Sequence, residues 1–251
     1  MSDRYASEAA FHDALAHGQA RSAGRFYSIN RRSWERYRDL LLAESERAQA
    51  RGGRILEYGC GMGAYSSMAL AEAGYACLGV DISPESVRSA EERAHAQFPD
   101  VGLEYRVMNA EQLEFPDDSF DLVCGNGIIH HLELDVAYAE VARVLKPDGV
   151  GVFSEPLGHN PLINLYRRRT PEQRTPDEHP LRVDDIERAR RWFGSVEWRS
   201  FHLFALGAIP LRKTRLFEPM LGVLDRVDSV VLRAAPSLGW LAVIRVAEPR
   251  T

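Results

Sequence analysis

Across residues 53–155, short apolar runs alternate with longer stretches in which apolar residues recur every three or four positions. The runs at 54–58, 76–80, 102–108, 120–124 and 151–154 read as buried strands. Residues 62–74, 84–98 and 134–145 read as helices. Ser83-Pro84 opens the second of these with an N-cap and a proline at the first helical position. In the third, Leu134, Tyr138, Val141 and Leu145 form one stripe, and Lys146-Pro147-Asp148-Gly149 ends it. Strands alternating with helices in this way predict a parallel sheet covered on both faces.

The flanks differ. Residues 1–51 are predicted to be helical, with Tyr27, Ile29, Trp34, Tyr37, Leu41 and Leu42 favouring one face, until Gly52-Gly53 breaks the pattern. Residues 156–182 are rich in Pro, Arg and Thr and show little periodicity. A helix is expected at 183–193, and strands at 196–203 and 239–246. Between those strands, residues 204–236 are too many for a tight hairpin and suit helical elements or a lid.

At 45% hydrophobic and 27% charged, the chain has the composition of a folded globular protein, which excludes disorder and fibrous classes. No apolar stretch is long enough for a membrane helix, so no membrane insertion is expected. The opening MSDRYASEAAFHDALAHGQ lacks the layout of a signal peptide. Cys60, Cys77 and Cys124 are odd in number and have no metal-like spacing. Both features predict a cytoplasmic location and reduced thiols. The net charge of −5 argues against a nucleic-acid partner. It is unevenly spread: residues 1–155 carry 15 basic and 25 acidic side chains, residues 156–251 carry 16 and 11.

Glu57-Tyr58-Gly59-Cys60-Gly61-Met62-Gly63 stands where the first strand hands over to the first helix of the core. Glycines there let the backbone turn sharply and approach a ligand. Asp81, 22 residues after Gly59, ends the next strand where a carboxylate can accept from both hydroxyls of a ribose. Gly59-x-Gly61-x-x-Ala64 also satisfies the dinucleotide fingerprint, so an NAD-dependent oxidoreductase is an alternative. Glu57 disfavours it, since a carboxylate there repels a pyrophosphate and suits a cationic group.

With Asp81-Ile82, Asn109-Ala110-Glu111-Gln112-Leu113, the run 115–123 and the run 140–149, these residues resemble the class I S-adenosylmethionine methyltransferases. The likeness is to the broad group that includes quinone-biosynthesis enzymes. It implies an α/β fold with a Rossmann-like, seven-stranded, mostly parallel sheet and an antiparallel last strand, to which the pattern of the flanks adds an N-terminal helical cap and an insertion after the fifth strand. It also implies S-adenosylmethionine as cofactor, S-adenosylhomocysteine as product, and binding residues Glu57, Gly59, Cys60, Gly61, Gly63, Asp81, Ile82, Asn109, Ala110, Glu111 and Asn126. Asn109 departs from the usual Asp; its amide oxygen accepts less strongly than a carboxylate. A catalytically silent cofactor-binding module is a second alternative.

One methyltransferase domain is expected over 1–251: a helical cap to residue 51, a cofactor core over 52–155, and an acceptor-binding insertion with completion of the sheet over 156–251. His130 and His131, after the fourth strand, are candidate bases for an acceptor hydroxyl, and Glu155 is a third catalytic candidate. Tyr27, Trp34 and Tyr37 are candidates for an aromatic cap. Arg167, Arg168, Arg169, Arg174, His179 and Arg182 are candidates for holding an anionic acceptor. No ligand cluster has metal spacing, so no metal is expected. The acceptor is expected to be a small specialised-metabolite, sugar-like or prenyl-like molecule methylated on oxygen, and a homodimer is left open.

Overall fold

A computed structural model describes Tyr5, Ala10, Asp13, residues 29–169 and residues 179–250. Tyr27 and Arg174 therefore lie outside the described residues. The described chain runs through α1 (Arg31–Gln49), β1 (Ile55–Tyr58), α2 (Ser66–Glu72), β2 (Cys77–Asp81), α3 (Pro84–Gln97), β3 (Leu103–Val107), β4 (Phe120–Asn126), α4 (Leu134–Val144) and β5 (Leu145–Pro156). It continues through α5 (Pro161–Arg169), α6 (Val183–Arg188), β6 (Phe193–Phe201), α7 (Phe217–Ala234) and β7 (Leu241–Pro249).

The seven strands form one sheet in the order β3-β2-β1-β4-β5-β7-β6. Pairings among β1 to β5 are parallel, and β7 runs antiparallel to both β5 and β6. This is the expected mostly parallel sheet with its last strand reversed. Alternate side chains of the central strands serve two cores. Ile55, Leu122, Cys124, Val152 and Val243 pack with Tyr37 and Leu41 of α1. Leu56, Val123, Phe153 and Ile244 pack with Tyr138, Val141 and Ala142 of α4 on the other face. The strand order reverses direction at β1 and β4, so the crevice for a ligand opens beyond their carboxyl ends.

Three expectations shift. β5 begins at Leu145, directly after α4, and a register irregularity lies between its pairings with Phe120 and Leu122. The 183–193 helix divides into α6 and a 3-10 turn at Ala189–Arg191. The insertion after β5 holds a helix, α5, that periodicity did not reveal. Its Ile163 is buried while Leu162 and Leu165 are exposed, so its apolar residues do not mark one inward stripe.

Candidate functional site

The crevice is built from the turns that follow β1, β2, β3 and β4. Gly59, Gly61 and Gly63 all have positive φ (72°, 49° and 62°), which a β-carbon resists. A side chain at position 59 would strike Ile128, and one at 63 would crowd Ala90 and Tyr105. At Gly61 nothing lies within 4 Å of the missing β-carbon, so this turn faces open space. The Cys60 thiol is buried. Its backbone N–H donates to the Val80 carbonyl at 2.9 Å, tying the loop to β2.

Asp81 closes the other wall. One carboxylate oxygen accepts from the Gly61 N–H at 2.8 Å, the other from the Ser83 N–H at 3.0 Å. These bonds fix the carboxylate at the end of β2, beside the glycine loop. Ile82, half-buried, follows it. Across the crevice, the Asn109 side-chain oxygen accepts from the Glu111 N–H at 2.9 Å and the buried Ala110 carbonyl accepts from the Tyr58 hydroxyl at 2.7 Å. Glu111 accepts from the Glu133 N–H and from the Tyr5 hydroxyl, each at 2.7 Å. Asp13 contacts the Ser83 hydroxyl. Tyr5 and Asp13 thus stand at two walls of the crevice. Sequence reasoning missed them, because neither sits in a motif. Asn126, half-buried, ends β4 opposite Ser154.

Glu57 is placed differently from the expectation that it meets a cationic ligand. It is buried, and its carboxylate accepts from the Ser66 and Ser67 N–H groups at 3.2 and 3.1 Å and from the Ser67 hydroxyl. It caps the N-terminus of α2, where two serines and the helix dipole favour a negative charge. Burial pushes its carboxyl up to about 7, against the lowering effect of those serine bonds.

Glu155 also turns inward and does not face an acceptor. It is wholly buried; one oxygen accepts from the Ile128 and Ile129 N–H groups at 3.0 and 2.9 Å, the other meets His130 Nδ1 at 2.7 Å. Glu155 thus ties the His130 ring and the Ile128–Ile129 turn to the end of β5. Gly127, at φ 73°, starts the turn that brings His130 back over β5. The His130 and His131 rings lie 4.1 Å apart between centroids. His131, Leu132, Glu133, Leu134, His179, Asp185 and Arg188 line a cavity of about 470 Å³.

Of the cationic candidates, His179 therefore reaches the site, and its N–H donates to the His130 carbonyl at 3.2 Å. Arg167 donates to the Leu157 carbonyl and Asn164, while Arg168, Arg169 and Arg182 are exposed. Arg188, missed as a site residue, lies 3.8 Å from Asp135 and on the cavity wall. Tyr37 is core: buried, with its hydroxyl 2.8 Å from the Ser66 hydroxyl. Trp34 stands edge-on to Tyr65, their centroids 5.9 Å apart, beside the end of the glycine loop. All three cysteines are buried and free.

Residues 56–153 match a family model described as a methyltransferase domain. Among curated proteins, the chain is 35% identical over 105 residues to a 2-methyl-6-phytyl-1,4-hydroquinone methyltransferase of Synechocystis, covering 41% of this chain and 32% of that protein. It is 36% identical over 153 residues to a phosphatidylethanolamine N-methyltransferase of Cereibacter sphaeroides, covering 60% and 65%. The chain thus spans about a third to two thirds of the length of these relatives. Among solved structures, a phosphoethanolamine N-methyltransferase 2 of Haemonchus contortus superposes with a TM-score of 0.57 at 21% identity, covering 78% of this chain and 49% of that one. At that identity the likeness is one of fold.

Proposed function

The chain carries a class I S-adenosylmethionine-dependent methyltransferase domain, and from that premise we propose that it methylates a hydroxyl of a small-molecule acceptor. The observation that carries this reading is the open turn at Gly61 beside a carboxylate, Asp81, already fixed by the loop's own N–H. That arrangement fits the nucleoside of S-adenosylmethionine. Asp81 would accept from the ribose hydroxyls, Ile82 and the Asn109–Glu111 turn would hold the adenine, and the Gly59–Gly63 loop would face the amino-acid portion. When bound, the cofactor supplies an electrophilic methyl group on a sulfonium sulfur.

The remaining chemistry falls to the acceptor side. A hydroxyl becomes a good nucleophile as its proton leaves, and the His130 imidazole, held by Glu155, is the group we assign to receive it. Glu155 is a positioning residue: it holds the imidazole ring and, through Ile128 and Ile129, the loop that carries it. The cavity along His131, with Leu132 and Leu134 beside His179 and Arg188, suits a partly apolar acceptor such as a prenyl-like or sugar-like intermediate.

The test is formation of S-adenosylhomocysteine from labelled S-adenosylmethionine across a panel of hydroxyl, amine and carbon acceptors. With an acceptor found, His130→Gln is expected to lower kcat about 10²–10⁴-fold while cofactor affinity holds. Turnover within about threefold of wild type, well under that range, would remove His130 as the base. Preference for amine or carbon acceptors would remove O-methylation.

A further inference from the structure

Among the described residues, the exposed large apolar side chains are concentrated in the C-terminal layer. Leu162, Leu165, Phe204, Leu216, Met220, Val223, Val227, Val230 and Leu238 are all exposed there, whereas the cofactor core exposes Tyr65, Val107 and Val136. Five of these residues lie in one line. Leu216, Met220, Val223, Val227 and Val230 follow one another at spacings of four, three, four and three, which places them on a single face of α7. That face is turned away from the protein. The opposite face supplies Phe217, Leu221, Asp225, Asp228 and Leu232, all buried. Leu216, Val223 and Val230 are 63%, 54% and 67% exposed, too much for residues that merely rim a core.

The charges around this stripe are of one sign. Arg226 and Arg233 border it along one side, and Arg212, Lys213 and Arg215 lead into its start; all five are exposed. None of the five pairs with a carboxylate among the described residues. The acids of α7 are engaged elsewhere: Asp225 lies 3.2 Å from Arg32, Asp228 accepts the N–H groups of Leu203, Phe204 and Ala205, and Glu218 lies 3.9 Å from Arg31. The outward face is therefore apolar in the middle and cationic at its margin. Its charged residues, and the absence of any helix long and apolar enough to cross a membrane among the described residues, rule out a spanning role for α7.

We propose that this face of α7, with the basic segment before it, docks on an anionic lipid surface, the helix lying in the interface plane. Apolar residues on one face with Arg and Lys at its edge are what such a surface selects, burial of the stripe and attraction to headgroups acting together. A second copy of the chain fits less well. Packed antiparallel, two α7 stripes bring the Arg226 and Arg233 margins together, and packed parallel they bring the two basic 212–215 segments together, with no acid on the stripe face to pair them. The position also matters. β6 is parallel to β1–β5 in the sheet, so it delivers the chain to Phe204 at the same end as the crevice, and β7 leaves from there. Leu238 is tied to the start of α5 through its carbonyl, which accepts from the Asn160 amide at 3.0 Å. The docking face thus flanks the end of the molecule where an acceptor must enter.

The experiment is co-sedimentation of the full chain with vesicles of phosphatidylcholine alone and of phosphatidylcholine mixed with phosphatidylglycerol, needing neither cofactor nor acceptor. Binding to the anionic vesicles is expected, with weak or no binding to the neutral ones. Arg226→Gln combined with Arg233→Gln should weaken it about thirtyfold, a factor of five or six for each cation lost. Val223→Asp combined with Val230→Asp should abolish it at an unchanged melting temperature, since both sites are exposed. Wild-type protein that leaves anionic vesicles unbound overturns the proposal. So does a dimer in sedimentation equilibrium that the Val223→Asp and Val230→Asp changes dissociate, which assigns the face to a second copy. Neither failure touches the reading of the crevice, which is measured by cofactor binding.

Discussion

The crevice over β1–β4 and the helical layer built on β6 and β7 use the same device for different ends. In the crevice, Glu57, Asp81 and Glu155 each hold backbone N–H groups of a turn, and each turn faces the ligand side of the sheet. In the helical layer, Asp228 gathers the N–H groups of Leu203, Phe204 and Ala205 at 3.0, 2.7 and 3.1 Å, and Asn160 accepts from Leu162 and Ile163 while donating to Leu238. There the carboxylate fixes packing, and the cavity beside it is only about 20 Å³. A buried acid on several N–H groups is therefore not in itself a sign of chemistry. What distinguishes the crevice is the open space at Gly61 and the imidazole on Glu155.

This comparison can be broken first at Asp228. Asp228→Ala leaves three buried or half-buried N–H groups without an acceptor and should cost about 3 kcal/mol or more of unfolding free energy. Denaturant unfolding reads the loss, and cofactor affinity in the folded fraction should not change. If affinity falls with stability, the two regions are not separable in the way argued here.

The next effect is smaller and depends on pH. His202 is buried, its Nε2 lies 2.9 Å from the Ser33 hydroxyl, and burial, aided by Arg32, lowers its pKa to about 3. Between that value and the ordinary 6.5, the unfolded chain binds the proton and the native one does not. The stability His202 supports is therefore complete above pH 6.5 and declines as pH falls, by about 2 kcal/mol at pH 5. His202 has φ 66°, a conformation that asparagine tolerates, so His202→Asn keeps the backbone and removes the titration. Unfolding at pH 7 and pH 5 should show the wild type losing its advantage over the variant on acidification. An equal gap at both values contradicts the assignment.

Smaller still is the expected cost of Gly61→Ala, about 1 kcal/mol for a β-carbon in left-handed backbone, because nothing crowds the site. Its effect on cofactor binding should be far larger than its effect on stability. Gly59→Ala should do the reverse in part, since its β-carbon meets Ile128 inside the protein.

The same contrast explains what could be read from the sequence. The crevice was legible because its partners are close along the chain or stand at strand ends: Glu57 with Ser66 and Ser67, Asp81 with Gly61. A glycine turn followed by an acid at the next strand end is a pattern that spacing preserves. Even so, spacing gives position and not direction: Glu57 and Glu155 stand beside the crevice, but their carboxylates turn inward, onto N–H groups and His130. The helical layer was opaque because its bonds join distant residues, Ser33 with His202 and Asn160 with Leu238. Helix α5, with one deeply buried apolar residue and exposed leucines, gave no periodicity to follow. Tyr5 and Asp13 reach the crevice through tertiary placement that no local pattern records.

The central claim, that the crevice beyond β1 and β4 holds an S-adenosyl nucleoside through Asp81, is tested most directly by titration calorimetry with S-adenosylhomocysteine. The wild type should bind it and not NAD, and a folded Asp81→Ala variant should bind it at least about tenfold more weakly, from loss of charge-assisted bonds to the ribose. Preferential binding of NAD, or an affinity for S-adenosylhomocysteine that Asp81→Ala leaves unchanged, would contradict it.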